Sequence, residues 1–187
     1  MFPYDHWNPL SVAAVQHLFH DAPFRWGIAG GYAVEQFLGT AIRDHNDIDI
    51  ILFRDDQQAL HTWLSGWHVY AADPPGTLRE WNASEWLSPG IHDIWCYRHT
   101  AQAWQLQMML VETDGADWVS RRHPMIRGSR TDLIVDYHQI PCIRIEVQLL
   151  YKAKGNREKD RQDFHACLPK LSAEAKAWLI QALRLAH

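Results

Sequence analysis

WGIAGGYAVEQFLGTAIRDHNDIDIILF, residues 26–53, is the stretch that decides how this chain folds. The apolar run Trp26-Gly27-Ile28-Ala29 suits a short buried strand, and it stops at Gly30-Gly31. Tyr32, Ala33, Val34, Phe37 and Leu38 then recur at helical spacing until Gly39, a residue type that commonly ends helices. Asp47-Ile48-Asp49-Ile50-Ile51-Leu52-Phe53 has the β-branched content of a strand. The order is therefore strand, glycine turn, helix, strand.

That order has chemical consequences. Residues two apart on a strand share a face, so Asp47 and Asp49 project side by side while Ile48 turns into the core. Two carboxylates so close repel each other unless a cation lies between them, and their oxygens suit Mg²⁺ together with substrate phosphates. The Gly30-Gly31 turn opens a helix, where unpaired amides and the helix dipole favour an anion and missing side chains permit close approach. A Gly-Gly turn alone is usually a plain loop, and an Asp-x-Asp alone is often just a strand end. Together, with Asp47 sixteen residues after Gly31, they form the equipment for phosphoryl or nucleotidyl transfer.

Outward from this stretch, Asn8 as cap and Pro9 at the first turn predict a helix over 9–20. After Asp55-Asp56, residues 57–65 read as an exposed helix ending at Gly66, and 67–71 as a strand. Residues 72–90, rich in proline and glycine, read as loop, followed by strands over 91–98 and 103–112. Residues 133–138 and 140–143 are extended. From Glu146 onward the chain reads helical, with a break at Lys154-Gly155-Asn156 and a last helix from Ser172 to Ala186. The expected class is α+β: a mixed sheet within a core over 1–143, and a helical part over 144–187 packed on it.

The whole chain narrows the function. Its 187 residues suffice for a hydrophobic core without disulfides, and Cys96, Cys142 and Cys167 lack metal-ligand spacing, which fits reduced thiols in the cytoplasm. Net charge is −4 and the isoelectric point about 6.3, which disfavours nucleic acid as a partner. No window spans a bilayer, and MFPYDHWNPL is not a secretory signal. Twelve histidines are dispersed without zinc-site spacing. Ten tryptophans are expected mostly as packing residues, with a minority available to line an acceptor pocket.

The run Gly30-Gly31, Arg43, His45, Asp47-Ile48-Asp49 resembles the motif of the small antibiotic nucleotidyltransferases, the aminoglycoside 2″-adenylyltransferases and lincosamide nucleotidyltransferases of the polymerase-β-like superfamily. A second stretch is similar to the lincosamide enzymes: Ile140-Pro141-Cys142-Ile143, Glu146, Gln148-Leu149-Leu150, and a helix around Asp160 and Asp163. The resemblance implies a nucleotidyltransferase sheet, two Mg²⁺ ions held by Asp47 and Asp49, and a nucleoside triphosphate donor. It also implies a third carboxylate on a neighbouring strand, where this chain offers Gln105 or Gln107. Neither can act as a base. Glu112 is the expected substitute if the register differs, with Asp93 a further candidate.

Arg43 could contact phosphate bidentately and His45 could brace a carboxylate, against the plain reading that both are solvated. Lys152, Lys154, Arg157 and Lys159 could reach triphosphate oxygens, against the plain reading of surface charge with a Lys159–Asp163 helix pair. The expected activity is metal-dependent transfer of a nucleoside monophosphate, from ATP or another triphosphate, to a hydroxyl of a small molecule. The competing readings are a nucleotide-binding member without turnover and a toxin-like enzyme acting on RNA or protein.

Overall fold

The structure is a computed structural model and describes residues 3–155 and 157–186. Among the described residues, ten strands form one mixed sheet. They are β1 (Trp26–Ile28), β2 (Asp49–Phe53), β3 (Trp67–Ala72), β4 (Leu78–Glu80), β5 (Asp93–Arg98), β6 (Leu106–Asp114), β7 (Asp117–Val119), β8 (Arg127–Ser129), β9 (Ile134–Tyr137) and β10 (Ile140–Ile143). Their order is β4-β3-β5-β6-β2-β1-β10-β9, with β7 and β8 added to the far end of β6. The β2–β6 and β1–β10 pairs are parallel and the others antiparallel. The helices are α1 (Val12–Phe19), α2 (Gly30–Leu38), α3 (Gln57–Trp63), α4 (Arg130–Leu133), α5 (Ile145–Ala153), α6 (Glu158–Cys167) and α7 (Ala173–Ala186). The mixed sheet with carboxy-terminal helices is the α+β class expected.

The stretch from 26 to 53 folds in the order read, except that β2 begins at Asp49, with Asp47 and Ile48 just before it. Gly39 closes α2 at φ 72°, and its amide donates to the carbonyl of Glu35. Ile48 and every residue from Ile50 to Phe53 are buried, so beyond Asp49 the strand is covered on both faces. The helices α5 and α6 pack on α2, so the carboxy-terminal part sits directly over the glycine turn.

Three expectations need correction. The first helix begins at Val12 rather than 9: the amides of Asn8 and Leu10 donate to the carbonyls of Trp104 and Gln105, which holds this strap extended along the sheet. Ser11 is the cap, its Oγ accepting from the amide of Ala14. The presumed loop 72–90 contains β4, paired with β3. The helix over 57–65 is not simply exposed, since Gln57 and Leu60 are buried, with Gln57 Oε1 accepting from the amide of Leu87 at 2.7 Å. The three cysteines are free thiols in the core. No helix among the described residues is long and apolar enough to cross a membrane.

Candidate active site

Asp47 and Asp49 sit where β2 begins, in a cleft of about 270 Å³ walled by Gly30, Gly31, Arg43, Gln107, Gln148 and Lys152. Arg157 and Lys159 close its outer side. Burial first, and the neighbouring Asp47 second, push the Asp49 carboxyl up to about 7, with Lys152 pulling the other way. A carboxylate held that reluctantly beside another is one that a divalent cation would relieve, because the cation replaces the proton as the source of positive charge. The donor set therefore fits Mg²⁺, a hard ion that takes carboxylate oxygens and leaves positions for phosphate. Among the described residues, no cluster of three or more acidic, histidine or cysteine side chains could hold a metal without such help from substrate or water.

The glycines are needed for packing. Gly30 has φ +65°, and a Cβ on it would stand 2.1 Å from Asp49 Oδ2. A Cβ on Gly31 would meet His45 Cε1 at 2.2 Å and Arg43 Nη2 at 2.5 Å. The missing side chains thus allow the carboxylate, the imidazole and the guanidinium to crowd against the start of α2. The amide of Gly30 donates to Gln148 Oε1 on α5 at 2.8 Å, so this donor is occupied. Gln148 fixes the turn, a role invisible in a sequence that separates the two by 118 positions.

Arg43 and His45 are built into the site. Arg43 lines the cleft and grips Asp163 of α6 with Nε and Nη2, at 3.2 and 3.1 Å. Its Nη1 donates to His45 Nδ1 at 2.9 Å. A guanidinium has no lone pair to offer, so Nδ1 is the acceptor and Nε2 carries the ring proton. That Nε2 is 2.9 Å from Glu35 Oε1, off the line of an ideal hydrogen bond. Burial acts to raise the Glu35 pKa, but the amides of Ile42 and Arg43 and the His45 ring outweigh it and hold it below its ordinary value. The ring of His45 lies 4.3 Å from that of Tyr32. His45 braces the loop from behind the cleft, while Arg43 reaches the cleft itself.

The basic segment divides. Lys152 is buried and 2.8 Å from Asp163 Oδ2, with Asp160 Oδ1 at 3.7 Å. Asp163 therefore takes Arg43 and Lys152, in place of the Lys159 pair considered above. Lys159 lines the cleft, while Lys154 is exposed after the last turn of α5 and is absent from its walls. Arg157, one of the four basic candidates, joins the wall while bonded to Asp160 at 2.7 Å.

Glu112 is corrected outright. The β2–β6 register sets Asp49 opposite Gln107, so Gln107 and not Gln105 occupies the neighbouring-strand position. Glu112 is five residues further along β6, about 17 Å away, and its odd offset from Gln107 turns it to the other face. There it accepts from Arg54 Nε and Nη2 at 2.7 and 2.5 Å. Arg54 also donates to the carbonyls of Leu87 and Ile91, locking the 81–92 segment to the end of β2. Burial, then the charges of Arg121 and Arg54, push the adjacent His92 down to about 4. Glu112 is thus part of a structural ion pair.

Sheet order, glycine turn and carboxylate pair agree with what the nucleotidyltransferase resemblance implied. The sequence profile described as aminoglycoside-2″-adenylyltransferase matches residues 11–167, and the chain belongs to that family. No curated protein sequence matches it. Solved structures do share its fold. The lincosamide antibiotic adenylyltransferase LnuA, lincomycin-bound, is 19% identical with TM-score 0.57, over 85% of this chain and 97% of that one. ANT(2″)-Ia in solution is 16% identical with TM-score 0.57, over 91% and 87%. ANT(2″)-Ia in complex with adenylyl-2″-tobramycin is 12% identical with TM-score 0.58, over 91% and 95%.

Proposed function

We propose that this enzyme moves a nucleoside monophosphate from ATP to a hydroxyl of a small, antibiotic-like molecule. The observation that carries the reading is the Asp47/Asp49 pair at the floor of a cleft whose walls supply Arg43, Lys152, Arg157 and Lys159. Four cations around two carboxylates suit a triphosphate with its metal. The ligands of the structural relatives, lincomycin and adenylyl-tobramycin, support a small acceptor.

In this reading Asp47 and Asp49 hold Mg²⁺, which supplies positive charge to the reacting phosphate and the departing pyrophosphate. The amide of Gly31 and the start of α2 face the phosphate chain, since the Gly30 amide is committed to Gln148. Lys152 and Arg43, anchored by Asp163, present fixed charge to the triphosphate and need little rearrangement on binding. Lys159 and Arg157 close over it from α6 and its entry.

A second reading, nucleotide binding without turnover, draws support from Gln107 standing opposite Asp49, since a carboxamide takes no proton. One assay separates the two. With α-labelled ATP and Mg²⁺, the transferase is expected to release pyrophosphate and place label on lincomycin or tobramycin. Bound ATP without label transfer to either would support the second reading instead.

A further inference from the structure

Away from the cleft, β3 and the end of β5 bring together two histidines that lie 31 positions apart in sequence. His68 is on β3, opposite Tyr97 of β5, and His99 is the first residue after β5. Their rings meet edge to face, with centroids 4.0 Å apart and planes at 76°. His99 Nδ1 lies 2.6 Å from His68 Nε2, nitrogen facing nitrogen.

One of these rings is held and the other has room to adjust. The ring of His68 rests on that of Tyr97 at 4.7 Å. Tyr97 packs in turn on Tyr70 at 6.0 Å and on the fully buried Trp104 at 5.3 Å. His99 is exposed in the turn that follows β5. The charge here also suits a cation. Glu80 of β4, opposite Tyr70, is near enough for its charge to act on Tyr97. The neighbouring Arg98 pairs with Trp67 on the other face, its guanidinium 5.1 Å from the centre of that ring.

We propose that His68 and His99 form a surface site for one divalent cation of the late first transition row, Zn²⁺, Ni²⁺ or Cu²⁺, which clips the β5–β6 turn to β3. Two imidazole nitrogens that face each other hold one proton between them, one donating and the other accepting, and a second proton would set two N–H groups head to head. A divalent cation instead uses both lone pairs at once. Metal–nitrogen bonds of about 2.0–2.1 Å at a near-tetrahedral angle place the nitrogens roughly 3.3 Å apart. The pair reaches that by opening less than about 1 Å, a movement within the reach of an exposed turn. Imidazole suits these ions, whereas Mg²⁺ takes oxygen. Water would fill the remaining positions, since no group of three or more ligating side chains is present among the described residues. Neither histidine is among the walls of the Asp47/Asp49 cleft, so occupancy of this site is independent of the transferase reading.

The test uses full-length wild type, His68→Phe, which keeps a ring on Tyr97, and His99→Ala. Each is titrated with ZnCl₂ by calorimetry, with Mg²⁺ in excess to occupy the carboxylate cleft. Wild type is expected to take up one ion per chain. Each variant is expected to bind it at least about 10-fold more weakly, the loss that even a supporting residue costs a metal site. Circular dichroism matching wild type shows that the variants fold, and His99→Ala, in an exposed turn, carries the test by itself if His68→Phe does not. With Cu²⁺, the electron paramagnetic resonance spectrum of wild type is expected to show coupling to two imidazole nitrogens, and that of His99→Ala to one at most. No Zn²⁺ uptake by wild type, uptake left unchanged by His99→Ala, or a Cu²⁺ spectrum of wild type with fewer than two imidazoles overturns the proposal. Uptake weakened by only one of two folded variants also overturns it, because a single histidine would then be the ligand.

Discussion

Gly30→Ala is expected to weaken Mg²⁺·ATP binding by more than about 100-fold, as large an effect as losing a catalytic electrostatic contact. The residue stands at φ +65°, where a side chain costs roughly 1–2 kcal/mol before any contact is considered. The added Cβ would then lie 2.1 Å from Asp49 Oδ2, 3.0 Å from Cγ and 3.2 Å from Cβ. Asp49 cannot retreat with its backbone, because β2 is held between β1 and β6. Its carboxylate must rotate away from Asp47, and the pair is broken. Gly31→Ala is the informative comparison. Its new Cβ meets the ends of two side chains, His45 and Arg43, which can move, so a smaller loss is expected. A calorimetric titration with Mg²⁺·ATP reads both. Gly30→Ala binding as tightly as wild type would show that Asp49 does not need its place under the turn.

Asp163→Ala is expected to destabilise the protein by about 3–5 kcal/mol, the usual cost of leaving a buried charge without its partner. Asp163 is 0% exposed and serves two cations, Arg43 and Lys152, whose side chains are 17% and 6% exposed. Removing it leaves two positive groups facing each other beside the cleft. Asp163→Asn keeps the shape and loses the charge, and is expected to fall between wild type and alanine. Urea unfolding followed by tryptophan fluorescence measures both. A loss below about 1 kcal/mol for the alanine variant would place these charges with ordinary solvent-exposed ion pairs.

The stretch from 26 to 53 was legible because its signals are local. Period-2 alternation puts Asp47 and Asp49 on one face, and glycine marks both ends of α2. What escaped depends on distant residues. Gln148 finds Gly30 and Asp163 finds Arg43 only after α5 and α6 fold back over the sheet. The start of α1 moved because Asn8 and Leu10 bond to the segment before β6, more than 90 residues away. Glu112 failed on register, which no single strand carries: one odd step along β6 sends a side chain to the opposite face. The same register gave Gln107 its place beside Asp49 and brought Trp95 and Asp93 onto the face of the site.

The central claim is a metal-dependent nucleotide site at Asp47 and Asp49. Its most direct test is a titration of wild type and the Asp47→Asn/Asp49→Asn variant with ATP, GTP, CTP and UTP, each with Mg²⁺ and with a chelator. Wild type is expected to bind ATP in Mg²⁺ and to lose that binding in chelator, while the folded double variant binds no triphosphate in either. Equal binding by the two proteins, or no Mg²⁺-dependent binding of any triphosphate by wild type, would contradict the account.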